Sequence, residues 1–370
     1  MENTNKIRSF FRGDPVILVL VFFFSIISLY AASSSSHQLM SQAIHLVLCY
    51  VAIFIFYKID YQKLSKISFF LLIAAFVLLI LTLTSPDPDH RALVLFSGKV
   101  KIQTFYFVGF LVIFFIAKYI ANRANREEKL SLKEFSFLAG ITGLFCGAIF
   151  IGNFSTALIL FFTAIVVFFV SNSVKMKYLL GVILLFAVAG IVLMNSERGR
   201  AGTARGRIDY YIAVKTNQEI TPEKADYGRQ MALAKAAIAR SAWTPAGPGQ
   251  GIIKGKISEN NTDYVYVTMV EETGIIIGVF IILLYLILFF RTMQIARRSE
   301  GYFGRILAVG IGFWITCQAL VHIAVNCELI PATGQTLPLI SKGGASLLFS
   351  GIIIGMLLNI SKNKQYSEIE

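Results

Sequence analysis

The chain reads as an all-α polytopic membrane protein of about ten transmembrane helices, on three observations. Of its 370 residues, 56% are hydrophobic and only 15% charged, where soluble domains carry about half and about a quarter. Ten stretches are apolar over membrane-crossing length, about 17 to 25 residues. One hydrophilic segment, 196–264, interrupts them between the seventh and the eighth.

The first stretch, 15–32, follows Lys6, Arg8 and Arg12 as a secretory leader would. Ala31-Ala32-Ser33 only approximates a cleavage site, so a retained helix is expected. Further spans are predicted at 39–58, 67–84, 103–121, 135–152, 155–171, 178–195, 265–290, 303–326 and 343–361. Those at 135–152 and 155–171 are parted only by Asn153-Phe154. Phenylalanine runs such as Phe22-Phe23-Phe24, Phe114-Phe115 and Phe161-Phe162 suit lipid-facing surfaces. Cys49, Cys146, Cys317 and Cys327 lie in or beside spans without metal-ligand spacing and read as small apolar residues. His37, His45, His90 and His322 likewise show no metal pattern. The whole chain, 1–370, is expected to form one transmembrane domain.

Positive charge orients the bundle. With the amino terminus inside, the short cytoplasmic segments receive Lys58, Lys63 and Lys66, Lys118 to Lys133, Lys175 and Lys177, Arg291 to Arg305, and Lys362 and Lys364. The short outer loops hold Arg91, Lys99, Lys101 and Lys342. Both termini are therefore expected in the cytoplasm, and segment 196–264 outside. No internal repeat is visible, which argues against a typical secondary transporter.

The outer segment carries Arg198, Arg200, Arg205 and Arg207 within ten residues, among glycines. Guanidiniums so placed can clamp a phosphate bidentately, or form a solvated basic loop beside anionic headgroups. Residues 223–240 set Met231, Ala234 and Ile238 at helical spacing, predicting an amphipathic helix at the outer interface. Pro245 to Gly251 is too rich in Gly and Pro to continue it. Asp263 precedes the eighth span, either as its N-cap or as a carboxylate able to take a proton from a bound substrate. Glu271 and Glu272 would lie about 12 to 13 Å deeper on the same helix. Acids at that depth pair, pin a helix or relay protons.

Five segments together resemble the SEDS family of RodA- and FtsW-like proteins. They are GNFSTALIL (152–160), GRIDYYIAV with YGRQMALAKAAIA, AGPGQG, NTDYVYVTMVEETGIIIG (261–278) and IPATGQTLPLISKGGASLL (330–348). The resemblance covers nearly the whole chain in order, and its last motif is highly specific. It implies a peptidoglycan glycosyltransferase that polymerises lipid II, the undecaprenyl-diphosphate-linked disaccharide peptide, at the outer face of the bacterial cytoplasmic membrane. The implied partners are a class B penicillin-binding transpeptidase and other divisome or elongasome membrane proteins; no nucleic acid is expected. Asp263 matches the family's essential aspartate, and Arg207 and Gln230 match recurrent loop positions, with Arg205 a further substrate contact. The reaction needs one carboxylate as base, and cations for the departing diphosphate, from arginines or from a bound Mg or Mn ion whose ligands the sequence leaves unknown. Asn153 replaces the acid of GDFGTA, Lys342 the tyrosine of SYGGSS, and His322 a common asparagine. Gln103-Thr-Phe-Tyr stands in place of QPSE. Lys342 adds an outer cation that can meet diphosphate. The Gly-Pro-Gly at 247–249 leans towards the division, FtsW-like branch. Two rival readings are a lipid II flippase and a catalytically silent scaffold of a cell-wall synthase complex.

Overall fold

The computed structural model describes residues 13–33, 36–87, 92–95, 100–194, 201–219, 222–257 and 262–362. In chain order its elements are α1 Pro15–Ala31, α2 Ser36–Lys58, α3 Tyr61–Lys66, α4 Ser68–Leu83, β1 Leu93–Leu95, β2 Val100–Ile102, α5 Phe105–Ala124, α6 Leu132–Gly152, α7 Phe154–Val170 and α8 Met176–Met194. There follow α9 Ala201–Lys215, α10 Pro222–Ser241, α11 Ile252–Lys256, α12 Val265–Thr273, α13 Ile275–Arg298, α14 Tyr302–Asn326 and α15 Gly344–Lys362. Among the described residues six helices are long and apolar enough to cross a membrane, and α1, α4, α7 and α8 are shorter apolar helices. The ten expected spans thus correspond to ten apolar helices of a polytopic membrane fold. The strands form one small antiparallel hairpin, Leu93 opposite Ile102, between α4 and α5.

Helix ends follow local chemistry. Asp14 caps α1 through Val16 N and Pro15 opens it, a residue whose missing N–H costs nothing there. Ser131 and Glu134 form a reciprocal capping box on α6. Asn153 ends α6 and caps α7, accepting from Thr156 N. One residue with φ −151° thereby separates two full helices.

The centre of the bundle is α5, α14 and α15, the most buried spans. Glycines set the close approaches: a Cβ on Gly351 would sit 2.5 Å from the Cys49 carbonyl oxygen, and one on Gly355 2.7 Å from that of Ile53. The Gly-x-x-x-Gly pair on α15 therefore lets it touch the α2 backbone. Exposed large apolar residues such as Phe22, Phe69, Phe70, Leu184 and Leu185 form the outer surface. The phenylalanine runs do not all face outward as expected. Phe24, Phe114, Phe115 and Phe161 are buried, because successive residues turn about 100° round a helix, so a run reaches the protein-facing side, and α5, which carries Phe114 and Phe115, lies at the centre of the bundle.

Polar contacts separate the two ends of the bundle. At one end Arg291 Nε donates to both Asp14 carboxylate oxygens at 3.0 and 2.9 Å. Asp14 N donates to Ser361 Oγ at 2.9 Å. The starts of α1 and the ends of α13 and α15 therefore meet there. The other end gathers the end of α1, the start of α2, α9 to α12 and the segment between α14 and α15.

Candidate active site

The segment 328–343 joins α14 to α15 without regular secondary structure, so its backbone groups need partners from elsewhere. Side chains of many helices supply them. Tyr211 OH donates to Leu329 O at 2.6 Å and Arg207 Nη1 to Ala332 O at 3.3 Å, both from α9. From α14, His322 Nδ1 donates to Gln335 O at 2.6 Å and Gln318 Nε2 to Thr336 O at 3.0 Å. Tyr285 of α13 donates to Pro338 O. Ser28 of α1 donates to Ile340 O at 3.0 Å, itself receiving Gln42 Nε2 of α2 at 2.6 Å. Gln335 Nε2 reaches Asn153 Oδ1 and Thr156 Oγ1, each at 3.0 Å. The amide at position 153 thus keeps the acceptor that a carboxylate would offer. Leu339 at φ 65° and Glu328 at φ 55° are held in left-handed conformations that non-glycine residues adopt only when surroundings enforce them.

Ser341 links this segment to the catalytic candidate. Its hydroxyl accepts from Leu337 N at 2.7 Å and donates to Thr262 O at 2.8 Å. Asn326, at the end of α14, donates to Asp263 O at 2.9 Å and accepts from Val267 N at 3.3 Å. The backbone of Asp263 is therefore fixed at the site. The N-cap reading of Asp263 is overturned: Tyr264 occupies the cap of α12, without a side-chain capping bond. The Tyr264 phenol is pushed up to about 12, chiefly by burial, with Arg207 opposing and Asp263 adding. Both charged groups consequently act on one ring.

Four of the residues singled out in the sequence line one cavity of about 410 Å³: Asp263, Arg207, Gln230 and Lys342. Lys101 and Gln103 join them from the hairpin, and Thr336, Gly343, Gly344 and Ser346 from the α14–α15 motif and the start of α15. Lys101 also pairs with Asp87 at 3.4 Å, at the hairpin's base. Lys101 and Gln103 were not among the candidates. Lys101 was visible as an outer-loop cation and Gln103 as the first residue of the span 103–121, but only the fold carries them to Asp263. Arg205 does not join the cavity; it is exposed, 3.9 Å from Asp209 one helical turn on. Arg198 and Arg200 lie outside the described residues.

Glu271 and Glu272 are not on a span that begins at Tyr264. The continuous eighth helix expected over 265–290 is broken at Gly274, whose φ of 86° and ψ of 172° suit glycine alone. The membrane-crossing helix starts at Ile275. Glu271 is fully buried and accepts from Ile252 N at 2.7 Å and Ile253 N at 3.1 Å. It tethers the outer loop, where a Cβ on Gly251 would lie 2.6 Å from its Oε2. Glu272 is buried beside the Tyr30 hydroxyl of α1. Neither lines the cavity.

The apolar stripe of α10 also differs from expectation. Met231 and Ala234 are buried, with Ala234 and Ala237 packing on Ile253, Ile257, Tyr264 and Val267. Protein, rather than the outer membrane interface, covers that face. Lys235 on the same helix pairs with Glu328 at 2.7 Å, which holds its ammonium above the ordinary lysine range. Gly228 lies against the Tyr210 ring of α9.

Comparison with known proteins places this geometry. The FtsW/RodA/SpoVE family model, described as cell cycle protein, matches residues 13–366. A probable peptidoglycan glycosyltransferase FtsW of Legionella pneumophila is 26% identical, over 97% of this chain and 95% of its own length. Stage V sporulation protein E of Bacillus subtilis is 27% identical, over 85% of this chain and 84% of its own. The fold aligns at a TM-score of 0.78 and 20% identity with a chain from a structure described as the structural coordination of polymerization and crosslinking by a peptidoglycan synthase complex, covering 96% of this chain and 99% of that one. A match that runs almost from end to end, on a fold shared at the same length, makes this chain a member of the FtsW/RodA/SpoVE family.

Proposed function

We propose that the chain is a peptidoglycan glycosyltransferase that polymerises lipid II. It sits in the bacterial cytoplasmic membrane with both termini inside and works with a class B penicillin-binding transpeptidase. The observation that carries the reading is the convergence of Asp263, Arg207, Gln230 and Lys342, distant in sequence, on a single polar cavity. The relatives' printed activity agrees with it.

The chemistry follows from the lining. An acceptor sugar hydroxyl gives its proton to the Asp263 carboxylate as its oxygen bonds to the donor's anomeric carbon. The bond from that carbon to the diphosphate breaks, and undecaprenyl diphosphate leaves as an anion needing no acid. Cationic side chains aimed at the developing charge stabilise that departure most where water is excluded. Gln230 and Gln103 offer neutral hydrogen bonds suited to sugar hydroxyls. The contacts of Asp14, Arg291 and Ser361 put both ends of the span set at one end of the bundle, opposite the cavity. With the charge bias inside, the cavity faces outward.

The test is reconstitution with the transpeptidase partner and labelled lipid II. Glycan polymer is expected from the native protein and is expected to fall to background in Asp263→Ala. Polymer that survives the substitution removes Asp263 from the base role. Transbilayer lipid movement without polymer, or binding of the partner alone, overturns the assignment in favour of a flippase or a scaffold.

A further inference from the structure

Resting on the glycosyltransferase reading, we propose that Lys101 and Lys342, with Arg207, neutralise the diphosphate that the cavity binds, in the place of a divalent cation. Among the described residues the cavity is lined by these three cationic residues and by one carboxylate, Asp263. Among the described residues no group of three or more His, Cys, Asp and Glu side chains is placed to hold a metal. Magnesium is normally held by one or two carboxylates together with substrate phosphates. Here the one lining carboxylate is the group the reaction needs as a base. Binding a dication to it would depress its basicity and block its access to the acceptor proton. Asp87, which faces the lining residue Lys101 at 3.4 Å, is buried and also accepts from Ala92 N at 3.1 Å.

Each lining cation also repels a second positive charge from the same space, and it does so before substrate arrives. The donor set therefore fits an anion and not a metal ion. It is suited to a diphosphate, which carries about one negative charge per phosphate in the substrate and more once it leaves. Lys342 is built into the site: it is half-buried and follows Ser341, whose hydroxyl joins the motif to Thr262. His45 of α2 lies within electrostatic range of Lys342 and packs where a Cβ on Gly344 would be 2.9 Å from its Nε2. Lys101 is more exposed, its side chain retaining 60% of its surface, and is aimed by Asp87. An ammonium on a flexible stem can follow a leaving group as it moves out, while the Arg207 guanidinium stays tied to Ala332 O.

The experiment uses the full chain with its transpeptidase partner and has two readouts, polymer from labelled lipid II and binding of undecaprenyl diphosphate by native mass spectrometry. Both are taken in EDTA and in millimolar Mg or Mn, for the native chain, Lys342→Tyr and the double variant Lys342→Tyr/Lys101→Gln. Expected for the native chain is a change within about twofold between EDTA and metal in either readout, well under one tenfold step of free energy. Expected for the double variant is at least about a tenfold loss in EDTA, partly restored by metal. A native chain that binds or polymerises only with metal overturns the proposal, as does a double variant indistinguishable from native. Absence of polymer in every condition, with metal-independent and lysine-dependent diphosphate binding, defeats the enzymatic reading alone and leaves the anion site standing. Absence of binding in every condition defeats both.

Discussion

Two acidic side chains that look alike in sequence have opposite surroundings. Asp263 has its carbonyl taken by Asn326 and its carboxylate among the cavity residues. Asp263→Asn changes no backbone bond, so thermal unfolding in detergent is expected within a degree or two of native. Glycan synthesis should fall by about 10²- to 10⁴-fold, the usual contribution of a positioned base. A large loss of thermal stability in this variant would instead make the carboxylate structural. Glu271 is the reverse case, since it serves two backbone N–H groups of the outer loop. Glu271→Ala leaves both donors unmet, at about 1–3 kcal/mol for the buried Ile253 N–H and less for the half-buried Ile252 N–H. A clear drop in the unfolding midpoint is expected, and Glu271→Gln should recover part of it by keeping one acceptor. The sequence singled out both positions, Asp263 as a cap or a base and Glu271 as an acid that pairs, pins a helix or relays protons. Asp263 was legible because its motif is specific. The work of Glu271 was hidden because its partners, Ile252 and Ile253, are close in space only after the chain doubles back.

At the scale of elements, hydropathy located nine of the ten apolar helices to within a few residues, because burial in lipid demands that length and composition, and set the eighth about ten residues too early. It missed the break at Gly274, since Val265 to Val270 and Ile275 onward are largely apolar and lie within one span's length. The glycine in Glu-Glu-Thr-Gly was the available signal. Breaking the helix there allows Ile275 N to bond Ala242 O at 2.9 Å and Ala246 N to bond Glu271 O at 2.9 Å, which fastens the end of α10 and its loop to the bundle. Gly274→Ala forces a side chain into a backbone region that costs of order 1–3 kcal/mol. Faster protease cleavage of the outer segment 242–251 is expected, with the spans themselves unaffected; an unchanged cleavage pattern would mean the break is not what holds the loop. Helix α10 was likewise found by its periodicity, but the stripe alone did not distinguish protein from lipid as the covering surface. That choice depended on α11, whose apolar residues are too few to stand out in sequence, and on α12, which reads there as the start of a span.

For the whole molecule, the outer cavity depends on contacts made along the entire bundle. The 328–343 segment is secured by side chains from α1, α9, α13 and α14, so few of its bonds are local and no stretch of sequence reveals them. The pair Gly351 and Gly355 on α15 has a consequence that is global. They allow α2 to lie against α15 with backbone oxygens 2.5 and 2.7 Å from where a Cβ would be. The same two helices carry Gln42, which supports Ser28 under Ile340, and the end of the motif that presents Lys342. Gly351→Leu must move α2 outward, at about 1–3 kcal/mol for an overpacked contact that finds room to shift. Because α2 also positions His45 against Gly344, its movement should disturb the cavity from a position well removed from it along both helices. The expected outcome is therefore a lowered unfolding midpoint together with weaker undecaprenyl diphosphate binding, and Gly351→Ala should fall between native and Leu in both. Loss of stability with binding intact would show that α2 packs the bundle without shaping the site.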